Sequence, residues 1–405
     1  MTQTADTDTA GVLDGIRVFD MTLAAVGPWS TKLLAQLGAD VIHVESPVLE
    51  MSHHIPPNIK GTGVLYISAN HNKRNMMLDL KSPKDREQAL ELVGQCDLFV
   101  QNMRPGAVDR LGFDYETVSL RNPAIIYVSA SAYGREGPMA AEAGVDPLLQ
   151  AFCGWSSLNG PVGSRGEMFR HYAHLDINTS SMIVEAVLQA LIHRERTGEG
   201  QFIELEMLTA ALSIQTTRLA ETLATGEQPI PMGSATSTTV PHQAFRCEDQ
   251  RWLAVGVERN DLWPGFCRAM GLDELIDDPR FATNPDRVTN REHLIPVISD
   301  RFADRPAAWW VLRLSKESIP NSEIMDFNRL RYHPQVTQNG HLVELDTDHW
   351  GHLVVEGPPW RLTKTPEKPV RGAGRPGEHT SDVLRELGIG EGSAETAPQA
   401  SGAER

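Results

Sequence analysis

The sequence is poor in the features that most directly announce a function. Aromatic residues make up only 6% of it, and its four cysteines, Cys96, Cys153, Cys247 and Cys267, lie far apart with no CxxC pair. That spacing excludes a zinc knuckle and a disulfide scaffold and leaves buried free thiols as the expectation. No apolar run is long enough to cross a bilayer. The opening "MTQTADTDTAG" is acidic and polar rather than basic then apolar, so a cytoplasmic protein with no membrane partner is expected. Positive charge is in short supply, and a formal net charge of −16 argues against a nucleic-acid partner. The first strand-like segment, "IRVFDM", is followed by "DMTLAAVGP", which has one glycine where a dinucleotide fingerprint needs three. No Walker loop, no GxSxG and no Cys/His nucleophile pattern occurs either.

What is present is ordinary globular material: 405 residues, 40% hydrophobic and 22% charged, enough for more than one compact unit. Strand and helix patterns alternate through the first third. Strands are expected at 16–21, 40–46, 75–81, 97–103 and 124–134, with helices at 29–39 and 83–96. Such alternation implies a parallel, doubly wound α/β sheet, whose ligands bind at the carboxyl ends of strands. "DMTLAAVGPWS", "QNMRPGA" and "SAYGREG" all fall at such ends. From Asp176 the pattern turns helical, with Ile183, Val187 and Ala190 on one stripe and "RTGEGQ" as the stop. "FIELEML" and a second helical stretch over 209–226 follow. Residues 226–239 look like a boundary or a mobile loop, and 242–257 like a hairpin turning at "CEDQR". Helices over 260–271 and 291–316 complete a smaller α/β unit, and the tail from Gly388 is expected to be disordered. Trp155, Trp309 and Trp310 are expected in a core or an interface.

Few residues could carry chemistry. Asp176 opens an apolar helix, where an aspartate gains from the dipole and from unpaired N–H groups; both favour its ionised form. It therefore reads as a helix cap, the commoner role, or as a carboxylate nucleophile able to attack an activated acyl group. The basic cluster Lys73, Arg74, Lys81, Lys84 and Arg86 reads as a solvated surface or as a phosphate-facing patch. His171 and His174 have no third ligand nearby, so no metal is expected.

Several blocks, taken in order, resemble the class III CoA-transferases, a family that includes formyl-CoA transferase, carnitine-CoA transferase and α-methylacyl-CoA racemase. Among them are "LDGIRVFDMT", "NHNKRNMMLDLKSP", "DLFVQNMRPGAVDRLGFDYE", "NPAIIYVSASAYGREGP", "GVDPLLQAFCGWSSLNG", "ALIHRERTGEGQFIELEML", "DDPRFATNPDRVTNRE" and "RPGEHTSDVLRELG". The resemblance spans about Leu13 to Leu387. It implies that Asp176, ahead of the Arg194–Gln201 motif, is the nucleophile. Coenzyme A contacts are implied at Ala25, Val26, Leu78, Lys81, Asn102, Met103, Arg104 and Arg110. It further implies CoA thioesters as substrates with no permanently bound cofactor, a donor such as succinyl-CoA, and an organic carboxylic acid as acceptor.

The departures from the family pattern are informative. His43 stands where the family usually has lysine, and Ala25 replaces the active-site glutamine of formyl-CoA transferase, against formate and oxalate as substrates. "MGSATSTTVPHQ" takes the place of that enzyme's glycine-rich flap. Val145 replaces the racemase histidine ahead of Asp146, favouring transfer over racemisation. Val145, Asp146, Arg170 and His171 are the candidates for substrate contact, the latter two for a distal carboxylate. The alternatives are an acyl-CoA racemase or isomerase, and a quiet CoA-binding subunit of a heteromeric transferase. The implied architecture is a large Rossmann-like domain built from both chain ends, 11–200 and 345–388. Linkers at 201–225 and 326–344 join it to a small domain at 226–325, with flexible tails at 1–10 and 389–405. The resemblance also implies an interlocked homodimer, or pairing with a homologous subunit.

Overall fold

The computed structural model describes residues 10–169 and 173–389. They divide into two compact units: 10–153, 173–219 and 339–389 form the first, and 154–169 with 220–338 the second.

The first unit is organised by a six-stranded sheet: β1 (Arg17–Met21), β2 (Asp40–Glu45), β3 (Arg74–Met77), β4 (Leu98–Gln101), β5 (Ile126–Ser131) and β6 (Gln201–Glu206). Spatially the strands run β3-β2-β1-β4-β5-β6, every neighbouring pair parallel. The chain winds outward from β1 to one edge, then returns to start β4 on its other side, creating a switch point between β1 and β4. Both faces are covered, because neighbouring residues of each strand are apolar in both directions. Val18, Leu98 and Ile126 point into one buried cluster; Phe19, Phe99 and Tyr127 point into another and stack with ring centroids 5.3 and 4.6 Å apart.

The first face is covered by α1 (Val26–Gln36) and the second by α2 (Pro83–Val93). Helix α1 starts at Val26, three residues ahead of expectation. Pro28 is tolerated because it lies in the first turn, where backbone N–H groups have no helical partner. The turn into α1 is tight: a side chain at Gly27 would sit 2.3 Å from Thr22 Cβ. Strand β3 is shorter than the expected 75–81, since Asp79 accepts the Lys81 N–H and Ser82 bonds back to the Asp79 carbonyl, turning the chain.

Three further helices complete the site side of the unit: α3 (Asp146–Phe152), α4 (His174–Thr197) and α5 (Met207–Ile214). Helix α4 ends at Gly198, whose φ of +77° closes the helix within the "RTGEGQ" stop. One 18-residue window of the 24-residue α4 reaches a mean hydropathy of 1.2, enough by length and composition alone for a membrane span, although Asp, Asn, Glu and Gln interrupt its apolar residues. In the fold it is a core helix, its Leu175, Ile183, Val187 and Ala190 buried with the sheet residues. The end of the described chain returns to the β3 edge, where Asn75 N–H donates to His379 Nδ1 (3.1 Å) and Met77 N–H to Thr380 Oγ1 (3.0 Å).

In the second unit the expected hairpin forms, β7 (His242–Arg246) with β8 (Trp252–Gly256), and β9 (Asn321–Glu323) adds to β8 antiparallel. Helices at Trp263–Met270, Arg291–Ala303 and Ala307–Lys316 cover it. Trp310 is buried there, while Trp309 stays half exposed against Arg305 and Arg313. The block "DDPRFATNPDRVTNRE" has a structural use. Arg287, fully buried, donates to Val240 O (2.7 Å); Asn284 donates to Thr238 O (2.8 Å) and Arg291 to Thr236 O (2.7 Å). Together they pin the loop expected to be a boundary or mobile segment.

Candidate active site

The carboxyl ends of the central strands enclose a small cleft, about 120 Å³. Ala24, Ala25 and Val26 line it after β1, Asn102 after β4, Ala130–Ala132 at the end of β5, and Met207 after β6. Gly144, Val145 and Asp176 complete it. The cleft lies at the switch point, where loops following β1 and β4 diverge and backbone groups are left free for a ligand. Asn102 latches the two loops: it accepts the Leu23 N–H (2.7 Å) and donates to the Leu23 carbonyl (2.9 Å). Ala24 is held in the left-handed region at φ +62°, a conformation that favours glycine. At Gly144 a side chain would lie 2.1 Å from Ala132 Cβ, so only glycine lets this segment close on β5.

Asp176 sits in the first turn of α4, partly exposed to the cleft. It is not the helix cap. That role belongs to Asp146, at the start of α3, whose Oδ2 accepts the N–H groups of Leu175 (2.7 Å) and Asp176 (3.2 Å), while Gln150 donates to its Oδ1. Leu175, fully buried, anchors the turn in the core, and the Ser180 hydroxyl ties α4 to α1 by donating to Val26 O (2.7 Å).

This arrangement overturns the expected electrostatics. With the open N–H groups taken by Asp146, no described residue donates a hydrogen bond to the Asp176 carboxylate. Burial, and then the neighbouring Asp146 charge, push its pKa up from 3.8 to about 7. The group therefore holds its proton to higher pH than an ordinary aspartate or a helix cap would.

The structure brings Ala25, Val26, Asn102, Val145 and Asp176 into one cleft. Met103 lies beside it, partly packed on the second core cluster. Arg104 and Arg110 are exposed in the segment after β4, and Lys81 is exposed after β3, on the same carboxyl edge but beyond β2 and β1. Leu78 points into the core at 3% exposure, so only its backbone could meet a ligand. Asp146 does not line the cleft. It is 4% exposed, and its Oδ2 is engaged with the α4 N-terminus. Arg170 and His171 lie outside the described residues.

The basic cluster splits by function. Lys73 is buried, its Nζ 3.0 Å from Asp20 Oδ2 and 2.8 Å from Asn70 Oδ1, and Arg74 pairs with Asp40 and Glu386. Neither faces a phosphate, leaving Lys81, Lys84 and Arg86 as the outward part. His43 also turns inward, its Nδ1 3.1 Å from Asp20 Oδ2. Ser131 and Met207 are cleft residues that sequence reasoning missed, although Ser131 falls within the strand expected at 124–134.

Comparison with known proteins agrees with this geometry. The profile of CoA-transferase family III matches residues 13–380. A succinyl-CoA:glutarate CoA-transferase from Mus musculus is 32% identical over 95% of this chain and 88% of its own length. An acetyl-CoA:oxalate CoA-transferase from Acetobacter aceti is 30% identical over 90% of this chain and 92% of its own length. The crystal structure of a CAIB/BAIF family protein from Brucella suis superposes with a TM-score of 0.85 at 28% identity, covering 93% of this chain and all of that one. The chain belongs to CoA-transferase family III and is an enzyme of that class.

Proposed function

We propose that the protein moves coenzyme A from an acyl-CoA donor to an organic carboxylic acid through covalent intermediates on Asp176. The ionised Asp176 attacks the donor thioester carbonyl, the C–S bond breaks, and CoA thiolate leaves a mixed anhydride behind. The thiolate then attacks the Asp176 carbonyl carbon, freeing the donor acid and forming an aspartyl-CoA thioester. The acceptor carboxylate attacks that thioester and regenerates CoA thiolate with a second anhydride. Thiolate attack on the acceptor's acyl carbon gives the product thioester and restores the Asp176 carboxylate. Each step exchanges one acyl bond for another, so no outside energy source is required.

One observation carries this reading: the Asp176 carboxylate opens into the switch-point cleft with its helix-capping duty taken over by Asp146. A cap would be saturated with N–H donors and poorly nucleophilic, whereas this group is desolvated and basic, with a pKa raised to about 7. Burial also shelters the anhydride from hydrolysis. Coenzyme A would run along the carboxyl edge, past Ala25, Val26, Asn102 and Met103, with Lys81, Arg104 and Arg110 meeting its phosphates.

The cleft volume of about 120 Å³ and the names of the succinyl-CoA:glutarate and acetyl-CoA:oxalate relatives support short carboxylic acids as substrates. A dicarboxylic acceptor is the substrate class proposed, in line with the glutarate and oxalate named for the relatives. The working form is an interlocked homodimer, with the small domain at 226–325 reached through linkers at 201–225 and 326–344.

Replacing Asp176 by Ala should lower transfer between succinyl-CoA and a panel of carboxylic acids by about 10⁴-fold or more, with CoA binding retained. Transfer at the normal rate by Asp176→Ala would defeat the reading.

A further inference from the structure

We infer that Asp146 is a positioning residue for the transfer reaction: its buried carboxylate fixes the first turn of α4 and keeps Asp176 free of hydrogen-bond donors. The inference rests on Asp176 being the nucleophile. Its physical basis is a division of labour between two aspartates thirty residues apart. A helix start offers N–H groups that a nearby carboxylate normally takes for itself, and an aspartate so satisfied is acidic and unreactive. Here Asp146 reaches in from α3 and takes the Leu175 and Asp176 N–H groups on one oxygen, while Gln150 holds the other. The Asp176 side chain is left to face the cleft.

The same placement sets a negative charge against Asp176, and among the described residues no neighbouring cation cancels it. Helices α1, α3 and α5 and strands β5 and β6 pack on α4. Lys32 of α1 is paired with Glu356. Tyr127 of β5 donates to Phe113 O (2.8 Å) on the far face of the sheet. On β6, Glu204 accepts the Arg135 N–H (3.1 Å) and Glu206 the Thr209 hydroxyl (3.0 Å). Helix α5 carries no charged residue, and on α4 itself His174 lies two residues ahead of Asp176 with Glu185 more than two turns beyond. Asp146 is thus the charge that, added to burial, keeps Asp176 basic.

The test compares the wild-type enzyme with Asp146→Asn, Asp146→Ala and Asp176→Asn. Acylation by succinyl-CoA is followed as a function of pH, with thermal unfolding measured alongside. An asparagine amide oxygen can still accept both N–H groups, so Asp146→Asn should fold normally. The acid limb of its acylation profile should move down by about one pH unit or more, with a lower plateau from the less basic nucleophile. Asp146→Ala removes the acceptor as well and should lose both melting temperature and kcat, whereas KM for the CoA donor changes little in either variant. A purely structural Asp146 would alter melting but leave the pH profile of Asp146→Asn on that of the wild type, which would overturn the inference. If that occurs while Asp176→Asn is inactive, only the positioning role fails; if Asp176→Asn still transfers, the nucleophile reading itself fails.

Discussion

Asp20 and Asp176 are both carboxylates drawn out of water within the same unit, yet they settle on opposite sides of the ordinary aspartate range. Asp20, on β1, is fully buried. Burial alone would raise its pKa, but Lys73 at 3.0 Å, His43 at 3.1 Å and the hydroxyls of Thr22 and Thr31 more than compensate and hold it well below the usual value. Asp176 experiences the same kind of burial with no described donor or cation and a second carboxylate nearby, and its pKa rises to about 7. Burial is common to both; partners decide which becomes a structural anchor and which a reactive group. The anchor sits directly beneath the loop that the reactive group needs: Thr22 donates its N–H to Asp20 (3.0 Å), fixing the turn that leads to Ala24 and Ala25.

The comparison can be broken from the Asp20 side. Replacing Lys73 by Met removes the principal cation and leaves a buried charge undercompensated. A cost of about 3–5 kcal/mol in urea unfolding at neutral pH is expected. Because the depressed pKa of Asp20 contributes stability above the usual aspartate range and loses it as pH falls, the deficit should shrink towards acid pH. A deficit independent of pH would mean that lost packing, not charge, is what Lys73 provides.

A smaller effect sharpens the comparison from the other side. Native Asp176 keeps a proton up to about pH 7, whereas the unfolded chain releases it near the ordinary value, so folding stability falls as pH rises from about 4 to 7. Asp176→Asn cannot show that loss. Relative to the wild type it should gain on the order of 2 kcal/mol between those pH values, after allowance for the partial exposure of the group. Parallel stability curves for the two proteins would indicate an ordinary, solvated aspartate.

Much of this architecture was legible locally. The paired apolar faces of "IRVFDM", "DLFVQNM" and "AIIYVSAS" announce buried parallel strands, and their ends mark where the cleft forms. Asp176 stood out by its place ahead of an apolar stripe. What local pattern could not convey was who caps α4. Asp146 lies 29 residues before Leu175, and nothing in helical spacing links them. The expected cap geometry of Asp176 assumed that the residue kept the N–H groups of its own helix, whereas Asp146 takes those of Leu175 and Asp176 and the Asp176 pKa moves up instead of down. The basic cluster failed in a related way: Lys73 and Arg74 neighbour Lys81 in sequence, but pairing with Asp20, Asp40 and Glu386 turns them into structural ties. Charge partners are set by strand order, which separates sequence neighbours and joins distant segments.

The account stands on Asp176 becoming covalently acylated. The enzyme should be mixed with an acyl-CoA donor, quenched with hydroxylamine, digested, and its peptides analysed by mass spectrometry. The predicted result is a hydroxamate on the Asp176 side chain that appears only with donor present. Transfer proceeding while Asp176 stays unmodified and another residue or a partner subunit carries the label would contradict it.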